Sequence, residues 1–212
     1  MIKRRISKTQ STVLILVVFC IFLQLLRVQL TQSLKFSFLL WNLFLAVIPY
    51  VISELTKKIA STKLSKFKLI FILGIWLLFL PNAPYLITDL IHFKTGRYMI
   101  WYDLFLLFTY ANTGLLLAIL SIYSMYTVVV NQWNSQVGET FTISVFFLSG
   151  FGVYLGRFLR FNSWDIITSP ISLFKKGIVS IANAEAWYMT LGFGILLWIL
   201  FSVFRSMNFS KA

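Results

Sequence analysis

Residues 79–93 read FLPNAPYLITDLIHF, and the fold turns on how they are read. Pro-Asn-Ala-Pro cuts an apolar run, and a shorter apolar run follows that carries Asp89 and His92, the chain's one histidine. Pro81 has no N–H to give a helix, and Pro84 pushes Ala83 out of the α region. Asn82 suits an N-cap, and Pro84 is tolerated in the first turn of the helix that follows. In that helix Tyr85, Thr88, Asp89 and His92 fall at i, i+3, i+4 and i+7, which is one face. Leu86, Ile87, Leu90 and Ile91 fall on the other. The apolar face is expected to meet lipid and the polar face to meet protein or water. Broken backbone at membrane depth is tolerated only where protein or a wet cavity satisfies it.

The surroundings justify that depth. The chain has 212 residues, of which 59% are hydrophobic and 12% charged, against about 25% charged in a soluble domain. One all-α, membrane-embedded domain spanning residues 1–212 fits both figures. The net charge of +13 matches loops held by the positive-inside rule and by anionic lipid headgroups. Nucleic acid is excluded as a partner, since no soluble module carries a basic face. The single cysteine, Cys20, allows no intrachain disulfide. It sits in an apolar run as a small apolar residue, and Phe19 before it speaks against a lipid-modified cysteine. The start, Lys3-Arg4-Arg5 and then an apolar run, resembles a signal peptide. It lacks a small-residue cleavage site and is long enough to span, so it reads as an uncleaved first helix.

In order, segments are expected at about residues 11–30, 36–55 (with Pro49 kinking it), 69–93 (broken at Pro81–Pro84), 100–130, 141–161 and 186–204. Each unbroken segment approaches or exceeds the roughly 20 residues that cross the hydrocarbon, and the fourth is overlong and must tilt or project. The apolar run before Pro81 is too short to span alone. Either residues 84–93 complete a crossing, or the pair forms a re-entrant hairpin. The positive-inside rule favours the hairpin, because six crossings place Arg157, Arg160, Lys175 and Lys176 outside. A continuous kinked crossing is the commoner arrangement, and six crossings are the expectation. The basic N-terminus and the loop with Lys57, Lys58, Lys63, Lys66 and Lys68 place the N-terminus in the cytoplasm of a cell membrane.

Two further polar concentrations stand out. Residues 156–170 read GRFLRFNSWDIITSP. Arg157 and Arg160 read as i, i+3 neighbours on a helix end. Asn162, Ser163 and Asp165 read as turn and cap residues that end one helix and start a short one. Gly152 and Gly156 form a GxxxG that lets this helix approach another backbone, a possible partner's included. In the fourth segment Asp103 lies near the start, and Tyr110, Gly114 and Ser121 continue along one face.

PNAPYLITDL, the Trp101-Tyr102-Asp103 start of segment four and LGRFLRFNSWDIITSP resemble the shared motifs of a bacterial integral membrane protein family, domain of unknown function 1361. The resemblance runs from about segment three onward. It implies a membrane protein and supports this choice of residues, and it carries no mechanism.

The candidate catalytic residues are Asp89, His92, Asp103 and Asp165. The candidate substrate-binding residues are Asn82, Tyr85, Arg157, Arg160, Asn162 and Trp164. Each has a bland reading. The helix dipole alone stabilises Asp103, and Asp165 caps a helix. Arg157 and Arg160 snorkel to headgroups, and Trp101, Tyr102 and Trp164 belong to an interfacial belt. Asp89, amid Leu and Ile, has the weakest bland explanation. One His with scattered carboxylates falls short of a zinc set, so no metal is expected, and no cofactor is implied. Membrane lipids are the expected partners. Three function classes follow: binding or processing of a lipid-linked or anionic substrate at the interface, transport with Asp89 as coupling group, and an accessory subunit. No nucleophile motif, P-loop or dinucleotide glycine pattern names a reaction.

Overall fold

The computed structural model describes residues 7–60, 64–93 and 99–209. The expected Lys3-Arg4-Arg5 start and Lys63 lie outside the described residues. The described chain is all-helical. Helix α1 is Lys8–Thr31, α2 Phe38–Ala60, α3 Lys66–Phe79, α4 Asn82–Tyr85, with a 3-10 helix at Leu86–His92. Then come α5 Ile100–Gln132, α6 Ser135–Arg157, α7 Asp165–Thr168, α8 Pro170–Ser180 and α9 Ala184–Phe209. Six helices are long and apolar enough to cross a membrane, with Lys66–His92 forming one bent piece. This is a multi-pass membrane protein.

Local chemistry sets the helix starts. Ser7 and Gln10 form a capping box at α1, Ser65 accepts from Lys68 N at α3, and Asn134 accepts from Val137 N at α6. Helix α5 is the central post. Two-thirds of its apolar window is buried, against 22% to 44% for the others. It packs on α1, α2, α6, α9 and the broken segment, while α9 lies along α6. Its expected inner face is the inner face. Tyr110 donates to Cys20 O, and Ser121 accepts from Trp76 Nε1 and donates to Pro49 O, tying α3, α5 and α2 together. Cys20 is buried, with its Sγ 3.3 Å from Thr113 Oγ1.

The break is built from backbone that cannot continue a helix and side chains that replace the missing partners. Ala83 N bonds Leu80 O in a tightened turn. Asn82 does not cap α4. Pro81 holds the cap position, with no side-chain bond there. The Asn82 amide instead turns back to Phe79 O at 2.8 Å, and Ser163 Oγ, from beyond α6, donates to Leu78 O at 2.9 Å. These bonds give partners to carbonyls beside the break, where Pro81 cannot supply an N–H. Two glycines make room for the bend. A Cβ on Gly114 of α5 would lie 2.3 Å from Ala83 O, and one on Gly152 of α6 would lie 2.4 Å from Pro81 Cγ. Gly152 thus receives the break of its own chain, and Gly156 receives the Tyr85 ring. The GxxxG face is occupied from within.

Two differences from expectation bear on the site. Helix α6 ends at Arg157, not near residue 161. Arg160 lies beyond it with φ 56, so the two arginines are not neighbours on one helix end. After Tyr85 the chain winds as a 3-10 helix, whose three-residue period stacks Leu86, Asp89 and His92. Leu86 therefore faces the core rather than lipid, and Ile91 is the exposed apolar residue.

Candidate functional site

Because the segments alternate in direction, one end of the bundle gathers the end of α1, the starts of α2, α5 and α9, the 3-10 helix, the end of α6, α7 and α8. Here Arg157, at the last turn of α6, is the hub. Its Nη1 lies 3.4 Å from Asp89 Oδ1 and 3.3 Å from Tyr85 Oη, and its Nη2 lies 3.3 Å from His92 Nε2. A guanidinium only donates, so in this contact His92 Nε2 is the acceptor. Asn42 of α2 donates to the other Asp89 oxygen at 2.8 Å. Both carboxylate oxygens are thus engaged, and the Asp89 side chain is only 2% exposed. Asn42 was not legible as a member of this group. Its only signal is a lone amide in an apolar segment.

Beside this cluster opens a cavity of about 930 Å³. Trp41 and Asn42, Leu77 and Leu78, the break, the Gly152–Arg157 turn and the loop after it form its walls. Asn82, Tyr85, His92, Arg157, Arg160 and Asn162 all line it. Asn82 Nδ2 donates to Ser163 Oγ at 2.9 Å, fastening the loop to the break. Phe161 N reaches back to Leu155 O at 3.1 Å, with Arg160 left-handed between them. Left-handed backbone just past a helix end is a place where glycine normally stands. Arg160 occupies it at a cost of about 1 kcal/mol. It is exposed, and among the described residues no carboxylate pairs with it.

The remaining candidates are placed differently. Asp103 does not line the cavity. Its carboxylate takes Arg27 Nε at 2.7 Å and Nη2 at 3.3 Å, a fork that ties the end of α1 to the start of α5. The dipole is therefore not its main partner, and Arg27 is the residue that sequence reasoning missed. Asp165 is the turn residue it was expected to be. Its oxygens accept from Asn162 N at 2.7 Å and Thr168 Oγ1 at 3.0 Å. The Asn162 N–H, with Thr168 adding to it, holds the Asp165 carboxyl below the usual carboxylate range. Trp164 stands edge-on to Trp41, 6.3 Å between ring centres, and only Trp41 of the two lines the cavity. Among the described residues no three His, Cys, Asp and Glu side chains gather to hold a metal ion.

The family described as Protein of unknown function (DUF1361) matches residues 41–200. The chain belongs to that family. Every residue lining the cavity falls inside the DUF1361 stretch, whereas Arg27 falls outside it. No curated protein and no solved structure matches the chain.

Proposed function

We propose that this protein binds the anionic headgroup of a membrane amphiphile, in a cavity at the membrane interface. The observation that carries this is Arg160, a cation that no carboxylate among the described residues pairs, held in a strained conformation on the cavity wall. Backbone strain persists where surrounding structure enforces it, and it clusters at ligand sites. Arg157 supplies a second guanidinium whose own charge Asp89 balances, so the pair leaves one positive charge for a ligand. Guanidinium forks suit carboxylate and phosphate oxygens, and Asn82 and Asn162 add amide groups. Asp89 has neither a free oxygen nor a place on the cavity wall, which argues against its use as a coupling group for transport.

The N-terminal end of the bundle faces the cytoplasm of a cell membrane in this reading, and the site faces outward. In support, Lys57, Lys58, Lys66 and Lys68 cluster at the N-terminal end. At the site end Arg27 and Arg157 are paired with carboxylates, which leaves Lys35, Arg160, Lys175 and Lys176 as the cations there.

The test is binding in phosphatidylcholine nanodiscs, with phosphatidic acid titrated as the anionic probe and read by native mass spectrometry. Selective retention of phosphatidic acid is expected, falling about tenfold in Arg160→Gln. Equal retention by Arg160→Gln and the parent would overturn the proposal.

A further inference from the structure

A second cavity, about 940 Å³, runs under α8 between α6 and the start of α9. Its lining is almost wholly apolar and includes Phe147, Ile171, Phe174, Ile178 and Trp187, with Lys175 as its one charge. Leu148, Phe151, Leu155, Ile166 and Leu173 line both this trough and the polar cavity. The two therefore adjoin, with guanidinium and amide groups in one and hydrocarbon-lined walls in the other. Each compartment falls within the roughly 300–1,000 Å³ of small-molecule sites.

Helix α8 is suited to cover such a space. Pro170 opens it, Ile171, Phe174 and Ile178 recur on one side with Lys175 at its edge, and Lys176 stands apart from them. Lys176 Nζ sits 5.3 Å from the Phe161 ring, which links α8 to the loop that carries Arg160.

Resting on the headgroup reading above, we propose that the ligand is a lipid whose acyl chain lies in this trough beneath α8 while its anionic group meets Arg160. Two features choose this occupant. The trough adjoins a cation-bearing cavity through five shared lining residues, and Lys175 adds positive charge beside it. A soluble anion would leave the apolar half unused, and a neutral lipid would leave Arg160 unpaired.

Chain-brominated phosphatidic acid at low mole fraction in phosphatidylcholine nanodiscs tests the chain's position through tryptophan quenching. Trp187 lines the trough. Quenching in excess of that from the same fraction of brominated phosphatidylcholine is expected, and Trp187→Phe should remove the excess. Gly177 provides a second, independent handle. It lines the trough, and a Cβ there meets nothing within 4 Å, so Gly177→Phe adds bulk at the trough wall from a backbone position with room for a side chain. It should weaken long-chain phosphatidic acid about tenfold and leave dihexanoyl phosphatidic acid unchanged. Headgroup selectivity that survives in Gly177→Phe, with no excess quenching at Trp187, overturns the trough proposal and leaves the headgroup reading standing. Loss of selectivity for every anionic probe overturns the headgroup reading instead.

Discussion

Breaking the Arg27–Asp103 pair asks whether Asp103 is part of the ligand site or a clamp between helices. Both side chains are under 8% exposed, and the contact is a two-pronged fork at 2.7 and 3.3 Å. Asp103→Leu strands a guanidinium that keeps only Lys35 O, at 2.9 Å, and the face of Phe36, 4.6 Å from its centre. An uncompensated buried charge costs about 3–5 kcal/mol. Arg27→Met strands a carboxylate that the α5 N-terminus still favours by about 0.3–1 kcal/mol, so its loss should be nearer 3 kcal/mol. The double variant replaces ions by apolar groups of similar size, and its main loss is the Lys35 O bond, about 1 kcal/mol. With single losses of about 4 and 3 kcal/mol and a double loss near 1 kcal/mol, the cycle should show a coupling of about 6 kcal/mol. Thermal unfolding of purified protein in nanodiscs reads it, since each kcal/mol shifts the midpoint by about 2–4 °C in a chain of this size. Each single variant should fall by about 10 °C, and the double variant should recover most of that. Strictly additive losses would refute the clamp. So would an Asp103→Leu protein that has lost phosphatidic acid binding while Arg27→Met keeps it.

Two more expectations come from contacts around the break. Gly114→Ala and Gly152→Leu should each lose about 1–3 kcal/mol of stability, because their Cβ atoms would meet Ala83 O and Pro81 Cγ at 2.3 and 2.4 Å. Gly156→Ala, where the nearest atom is at 3.4 Å, should stay within about 0.5 kcal/mol; thermal midpoints separate the three. The Asp165 turn should depend on pH. Its carboxyl titrates lower folded than unfolded, so its contribution is complete above about pH 4 and is lost as pH falls through the folded value. Limited proteolysis of the 158–169 loop between pH 7 and pH 2 should show the turn opening at the acid end, and Asp165→Asn should remove that transition.

The sequence made the break in segment three legible because two prolines leave a helix no way to continue, whatever surrounds it. It also made the inner face of α5 legible, since Tyr110, Gly114 and Ser121 recur at helical spacing. What it hid was pairing at long range. Arg27 lay inside a run counted as apolar, and nothing local distinguishes an arginine bound for headgroups from one bound for Asp103. Ser163 was read as a turn residue, yet its hydroxyl serves a carbonyl 85 residues away in sequence. The end of α6 was misplaced because its left-handed residue is an arginine where a glycine would have marked the stop. The period after Tyr85 was misjudged for a related reason. A 3.6-residue count puts Thr88 on the polar face, whereas the 3-10 winding lets Thr88 donate to Tyr85 O instead.

The interruption in the third segment explains why the site lies where it does. An unpaired carbonyl in hydrocarbon costs several kcal/mol, so a helix broken there persists only if other segments bring donors to it. Ser163 does so from beyond α6, and Asn82 does so from within. Gly114 and Gly152 admit the bend from α5 and α6. The residues that stabilise the break are therefore the ones that draw α5, α6 and the loop after it to one point. Asp89 extends that logic to charge. Held by Asn42, it fixes Arg157 at the end of α6, and the chain beyond must turn at once. It turns through Arg160, which leaves a cation facing the cavity where a glycine would leave none. An anion there gains an ion pair without dismantling the Asp89–Arg157 contact. On this argument Asp89→Asn should weaken the headgroup site only through a loosened Arg157, with Arg157→Lys showing a similar loss. An Asp89→Asn protein with full stability and no binding at all would instead put the carboxylate in direct contact with the ligand.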